Sequence, residues 1–191
     1  LFSPASNVKL LTTAMALKRM GTDYRFKTRL YSTMRIVKET LNGDLYIKGF
    51  GDPNLVSEQM WLLVNDLRNL PLRKVEGNIV ADDSFFDDRL RVKTWRKKGG
   101  VEAYNAPLGA LSFSFNTVTV HVSPGENLGD RPVVVVDPDV DFIRVANRAK
   151  TVSRSRPSRL IVNRVDQGGY NEITISGVIS ASHSRETYYL N

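Results

Sequence analysis

Ser3-Pro4-Ala5-Ser6-Asn7-Val8-Lys9-Leu10-Leu11-Thr12-Thr13-Ala14-Met15-Ala16-Leu17, close to the start of the 191-residue chain, is the stretch whose reading decides the rest. Ser3 has the character of an N-cap and Pro4 of a first helical residue, where a fixed φ is an advantage and a missing N–H costs nothing. The apolar run from Val8 to Leu17 continues the helix, and Gly21 supplies a C-cap. The predicted helix is apolar nearly all the way round, so it belongs inside a protein, covered on several sides.

Ser6 and Lys9 stand three apart on that helix. Residues with this spacing share one face, one turn apart, so the Lys9 amine can reach the Ser6 hydroxyl and accept its proton. Ser6 falls in the first turn, beside unpaired backbone N–H groups and the positive end of the helix dipole, which suits a developing oxyanion. A lysine serves as a base only where burial or a neighbouring cation lowers its pKa. Ser-x-x-Lys occurs about once by chance in a chain of this length. The proline-led, all-apolar helix is what distinguishes this occurrence.

The same run resembles the active-site helix of type-4 penicillin-binding proteins, the class C D-alanyl-D-alanine carboxypeptidase/endopeptidase family. Further islands continue the resemblance in order: Gly21-Thr22-Asp23-Tyr24-Arg25-Phe26-Lys27-Thr28, Gly43 to Leu55 with its Gly51-Asp52-Pro53 turn, Gly77 to Phe86, Tyr104 to Ser112, and finally Arg185-Glu186-Thr187-Tyr188-Tyr189. The resemblance implies an α+β fold: the active-site helix of a penicillin-recognising, transpeptidase-like domain, followed by an inserted α+β domain that carries a small all-β module. The expected boundaries are 1–24 for the helix of an incomplete catalytic domain, 25–122 for the inserted domain, 123–178 for the all-β module and 179–191 for the return. It further implies that Ser6 is acylated by peptidoglycan peptides and by β-lactams, that Lys9 is the proton acceptor, that no metal or cofactor takes part, and that the protein is exported to the periplasm or the outside of the cell envelope.

Two departures qualify this. The family cleft also needs a Ser-x-Asn and a Lys-Thr-Gly. No Lys-Thr-Gly occurs; the nearest strings are Lys93-Thr94-Trp95 and Lys150-Thr151-Val152. Ser114-Phe115-Asn116 has the right letters, but it lies within Leu111–Val122, whose period-two alternation predicts a half-buried strand, so Ser114 and Asn116 are read as structural. The chain starts beside Ser6 and stops at Asn191, before the second and third motifs, so it is expected to be a fragment and on its own a poor acyl-enzyme former. In the family an acidic residue between Trp95 and Pro107 contacts the amino end of the wall peptide's side chain; Gly99 stands at that position here, with Glu102 the nearby substitute.

Composition narrows the alternatives. No window approaches the roughly 18 uninterrupted apolar residues of a membrane span. Zero cysteines exclude disulfides, thiol catalysis and thiolate-bound metal, and the two histidines, His121 and His183, lack metal-ligand spacing. A net charge of +7 favours anionic partners. Arg89, Arg91, Lys93, Arg96, Lys97 and Lys98 follow the acidic group Asp82, Asp83, Asp87 and Asp88, and a second basic region contains Arg144, Arg148, Lys150, Arg154, Arg156 and Arg159. These fit solvated edges guarded by charge, or contact with anionic wall polymers or a membrane surface; nucleic acid ranks last because no aromatic stacking motif accompanies them. A non-catalytic wall-binding or interaction module is the competing reading of the whole chain. Gly49-Phe50-Gly51-Asp52-Pro53 is read as a turn and not a phosphate loop, because the third glycine and a following helix start are missing.

Period changes place the remaining elements. Strands are predicted over Arg25–Met34, Asp44–Lys48, Lys74–Ala81, Leu111–Val122, Val133–Val136, Phe142–Val145, Arg159–Val165 and Glu172–Ser176. An amphipathic helix over Ser57–Leu70 starts at Ser57 and stops before Pro71. Val133–Val136, apolar on both faces, is expected to be central or paired.

Overall fold

The computed structural model describes residues 4–91 and 101–191. Frequent Gly, Pro and Asp turns cut the second half of the chain into short strands, and the outcome is an α+β arrangement of a leading helix and several small sheets. The helices are α1 (Val8–Met20) and α2 (Ser57–Asn69). α2 runs as the sequence predicts, with Val56 at the cap and no side-chain capping bond.

The first half holds two three-stranded sheets. β1 (Thr28–Ser32) pairs antiparallel with β4 (Leu45–Gly49), which pairs parallel with β6 (Ile79–Asp82). The small β2 (Ile36–Val37) and β3 (Thr40–Leu41) form a hairpin whose other edge takes β5 (Lys74–Val75). The strand predicted over Lys74–Ala81 is therefore two strands in different sheets. The break falls at Gly77, where a Cβ would sit 2.4 Å from the backbone of Gly43, and Asp44 Oδ1 accepts the Asn78 N–H at 2.8 Å to fix the crossing.

The second half forms the main core. β7 (Val118–Ser123) lies between β8 (Val133–Asp137) and β13 (Glu186–Leu190), both antiparallel to it. In the neighbouring sheet β12 (Asn171–Ser180) is central. β11 (Arg159–Asp166) runs antiparallel along one side, while β9 (Ile143–Asn147) and β10 (Lys150–Val152) follow each other in parallel along the other. Side chains alternate across a strand, so Ile173, Ile175 and Ile179 of β12 face inward. They meet Val162, Ala149, and Val120, Val122 and Leu190 of the other sheet, in one continuous core.

One expectation is corrected here and a second is refined. Leu111–Val122 is not one strand: Ser114, Phe115 and Asn116 have φ of 46°, 59° and 52°, a left-handed turn that no strand can contain, and β7 begins only at Val118. Val133–Val136 is paired, as expected, through β7, but on one side only: among the described residues β8 is an edge strand, and its outward Val135 is 51% exposed.

Candidate active site

Ser6 lies in a single 3-10 turn, Ala5–Asn7, that runs directly into α1, and Lys9 is the second residue of α1. The turn is closed by the Asn7 N–H donating to the Pro4 carbonyl at 2.9 Å. Pro4 has αR geometry, as expected of a proline at a helix start, whereas Ala5 has φ 44°. A non-glycine residue in that region carries a cost of about 1–2 kcal/mol, placed here next to the candidate nucleophile. Ser3, read as the N-cap, lies outside the described residues, and among the described residues neither the turn nor α1 has a side-chain cap.

Ser6 and Lys9 are both exposed, and no hydrogen bond joins them among the described residues. The helix behind them is equally uncovered. None of α1 is buried, and Leu10 and Leu11 are 72% and 71% exposed. The expectation of a helix covered on several sides is thus not met: the apolar residues of α1 lie on the surface beside Lys9, Thr12, Thr13, Lys18 and Arg19 of the same helix.

The other weighed residues fall away from Ser6 in role. Asn116 donates to the Pro107 carbonyl at 2.8 Å and to Ser112 Oγ at 3.0 Å, and Ser114 N–H donates to the Leu55 carbonyl at 2.9 Å. Both residues are structural, as expected, but through a pinned left-handed turn and not through strand alternation. His121 Nδ1 contacts Thr187 Oγ1 at 3.0 Å. His183 bridges Ser158 Oγ, 3.1 Å, and Glu186 Oε1, 3.5 Å, and Glu186 also accepts from Tyr188, whose phenol is pushed above its ordinary pKa by burial and by that carboxylate. No group of three His, Cys, Asp or Glu side chains suited to a metal occurs among the described residues. Glu102 accepts from Asn105 through its carboxylate and from Asn191 through its carbonyl. Trp95, Gly99 and the cations Lys93, Arg96, Lys97 and Lys98 lie outside the described residues.

In the acidic group, Asp82 is paired with Lys48 at 2.8 Å and accepts the Ser84 N–H at 2.9 Å. Its carboxyl pKa is held down to about 2, first by the Lys48 hydrogen bond and then by Ser84. Gly49–Pro53 is a turn, as read: Gly51 N–H donates to the Ala110 carbonyl at 2.8 Å and Asn54 N–H to Asp52 Oδ1 at 2.9 Å. Sequence reading passed over Arg25, Lys27 and Arg29, which line a cavity with Phe50 and Phe85. The cations at alternate positions in Arg25-Phe26-Lys27-Thr28-Arg29 were the available signal.

With this geometry in hand, comparison with known proteins gives a consistent answer. A family model described as D-Ala-D-Ala carboxypeptidase 3 (S13) matches residues 1–190. A D-alanyl-D-alanine carboxypeptidase of Actinomadura sp. (strain R39) is 30% identical over 184 residues, 93% of this chain and 34% of that protein. The D-alanyl-D-alanine carboxypeptidase DacB of Haemophilus influenzae is 27% identical over 126 residues, 66% of this chain and 26% of that protein. The crystal structure of penicillin binding protein 4 (dacB) from Haemophilus influenzae superimposes on 99% of this chain and 41% of that chain, with a TM-score of 0.77 at 21% identity, and so shares its fold. The chain thus spans 34% and 26% of the lengths of these two relatives. Matched over nearly its whole length, it belongs to the D-Ala-D-Ala carboxypeptidase 3 (S13) family.

Proposed function

We propose that this chain carries the nucleophilic part of a serine-type D-alanyl-D-alanine carboxypeptidase/endopeptidase that acts on peptidoglycan peptides and is acylated by β-lactams. The observation that carries the reading is Ser6-x-x-Lys9 at the very start of an exposed, apolar α1, in a chain that matches the S13 family over residues 1–190. In the reaction, Ser6 Oγ attacks the carbonyl of the penultimate D-alanine while its proton passes to Lys9 Nζ. The C–N bond then breaks, the leaving D-alanine amine takes up a proton, and water hydrolyses the ester to free Ser6. The Ser6 N–H contributes to holding the oxyanion.

Ser-x-Asn and Lys-Thr-Gly walls for the cleft, and a cover for the exposed face of α1, come on this reading from parts of the catalytic domain outside residues 1–191. Residues 25–122 with 179–191 form the inserted domain and residues 123–178 the all-β module, although the two share one core. The substrate places the protein in the cell envelope, and the cations of 144–159, which form no ion pair among the described residues, fit contact with anionic wall polymer there.

Intact-mass spectrometry after incubation with benzylpenicillin tests this on the 191-residue chain and on a form extended at both ends. The extended form is expected to gain one adduct, Ser6→Ala to abolish it, and the short chain to react poorly. An extended, folded form that gains no adduct, or an adduct that survives Ser6→Ala, removes Ser6 as the nucleophile and leaves the binding-module reading.

A further inference from the structure

The Gly49–Pro53 turn has no part in the chemistry proposed for Ser6, yet it is built to present one side chain. At Gly51 φ is +79° and a Cβ would stand 2.6 Å from Phe86 Cζ, so the Phe86 ring packs directly on the turn. Held in this way, Phe50 lies 5.0 Å from Phe85, the rings tilted by 58°, and the Arg29 guanidinium sits 5.4 Å from the Phe50 centroid. Between these rings and the segment leading into β1 is a cavity of about 550 Å³. That volume is in the range of small-ligand sites.

The charge in this cavity is unbalanced. Arg25, Lys27 and Arg29 line it together, and none of the three forms an ion pair among the described residues. Arg25 donates to the carbonyls of Thr22, 3.3 Å, and Tyr24, 3.0 Å, which orient the guanidinium without neutralising it; Arg29 donates to the Tyr31 hydroxyl at 3.4 Å. Asp23 is the one acid in the lining among the described residues, leaving two positive charges in excess beside an aromatic wall.

We propose that this cavity binds a small organic phosphate monoester. The dianion is held by Arg25, Lys27 and Arg29, and the ring or apolar body lies against Phe50 and Phe85. A phosphate monoester carries close to two charges and three strong acceptor oxygens at neutral pH, matching the excess, whereas one carboxylate leaves a cation uncompensated. The lining residues begin at Asp23, after the C-terminal end of α1, whereas Ser6 precedes the other end of that helix, which is about 20 Å long.

Isothermal titration of the full chain with phenyl phosphate, inorganic phosphate and benzoate tests the proposal. Phenyl phosphate is expected to bind saturably and most tightly of the three. Lys27→Ala and Arg29→Ala each weaken it about two- to fivefold, and Phe50→Leu removes its advantage over inorganic phosphate. Phe85→Leu supplies the same reading if Phe50→Leu fails to fold. Arg68→Ala, which removes an equal charge from the last turn of α2, leaves binding unchanged. No saturation up to about 10 mM, benzoate binding as tightly as phenyl phosphate, or an equal loss in Arg68→Ala overturns it.

Discussion

Replacing Ile175 with alanine probes the pleat of β12 and with it the whole main core. Ile175 is fully buried, opposite Asn147 of β9 and Val162 of β11, and on the same face as Ile173 and Ile179. Removing three side-chain carbons forfeits about 2.4 kcal/mol at about 0.8 kcal/mol for each. Because β12 is bonded on both sides, its backbone cannot close over the hole, and a residual cavity of about 40 Å³ adds about 1 kcal/mol. The expected loss is thus about 3.4 kcal/mol, which lowers Tm by about 7–14 °C in a chain of this size. Ile161→Ala removes the same atoms from β11, where Ile161 pairs with Ser176 on the outer face and is 61% exposed; it is expected to cost less than about 1 kcal/mol. Urea unfolding followed by circular dichroism, at an unchanged m-value, reads both. Equal losses, or a larger loss at Ile161, would mean that the β11–β12 register is slipped by one residue, which turns every side chain to the opposite face.

Other perturbations give independent checks. Lys48→Met is expected to raise the Asp82 carboxyl from about 2 toward its ordinary value, followed by carbon-13 NMR; an unmoved midpoint removes Lys48 as the main cause. Since the folded value is the lowered one, stability from this pair is present above the unfolded pKa and is lost as pH falls toward 2, a loss that Lys48→Met should shrink in acid-unfolding profiles. Gly129 and Gly177 share φ 93°, but a Cβ meets nothing at Gly129 and stands 2.1 Å from the Arg159 carbonyl oxygen at Gly177. Gly129→Ala should cost about 1–2 kcal/mol, and Gly177→Ala at least about 1 kcal/mol more by urea unfolding; equal costs would show that β12 and β11 do not approach so closely.

Where periodicity and punctuation agree, the sequence was legible. α2 is flanked by Ser57 and Pro71 and carries a helical pattern, and it runs as read. The β2–β3 hairpin was not legible, because its two-residue turn is Lys38-Glu39 with φ of 46° and 61°, a conformation that sequence reading expects from Asn-Gly. Ser114–Asn116 misled for a related reason. Phe113 and Phe115 keep an alternating pattern, while the bonds from Asn116 to Pro107 and Ser112 fold the backbone the other way. β13 is an equally non-local result: its partner is β7, far back in the chain, and nothing in Glu186–Leu190 names that partner. At the site, the spacing of Ser6 and Lys9 could be read from the residues, but the left-handed Ala5 could not.

The pairing of β13 with β7 also sets an order of events during synthesis. Val120 and Val122 leave the ribosome long before Leu190, which completes their side of the core. Through that interval β7 has only β8 beside it, and its other edge stands open. Closing so long an excursion is entropically slow unless β9 to β12 have already folded and drawn the two ends together. Until β13 arrives, the chain therefore carries an unpaired, valine-rich edge open to pairing with the wrong partner.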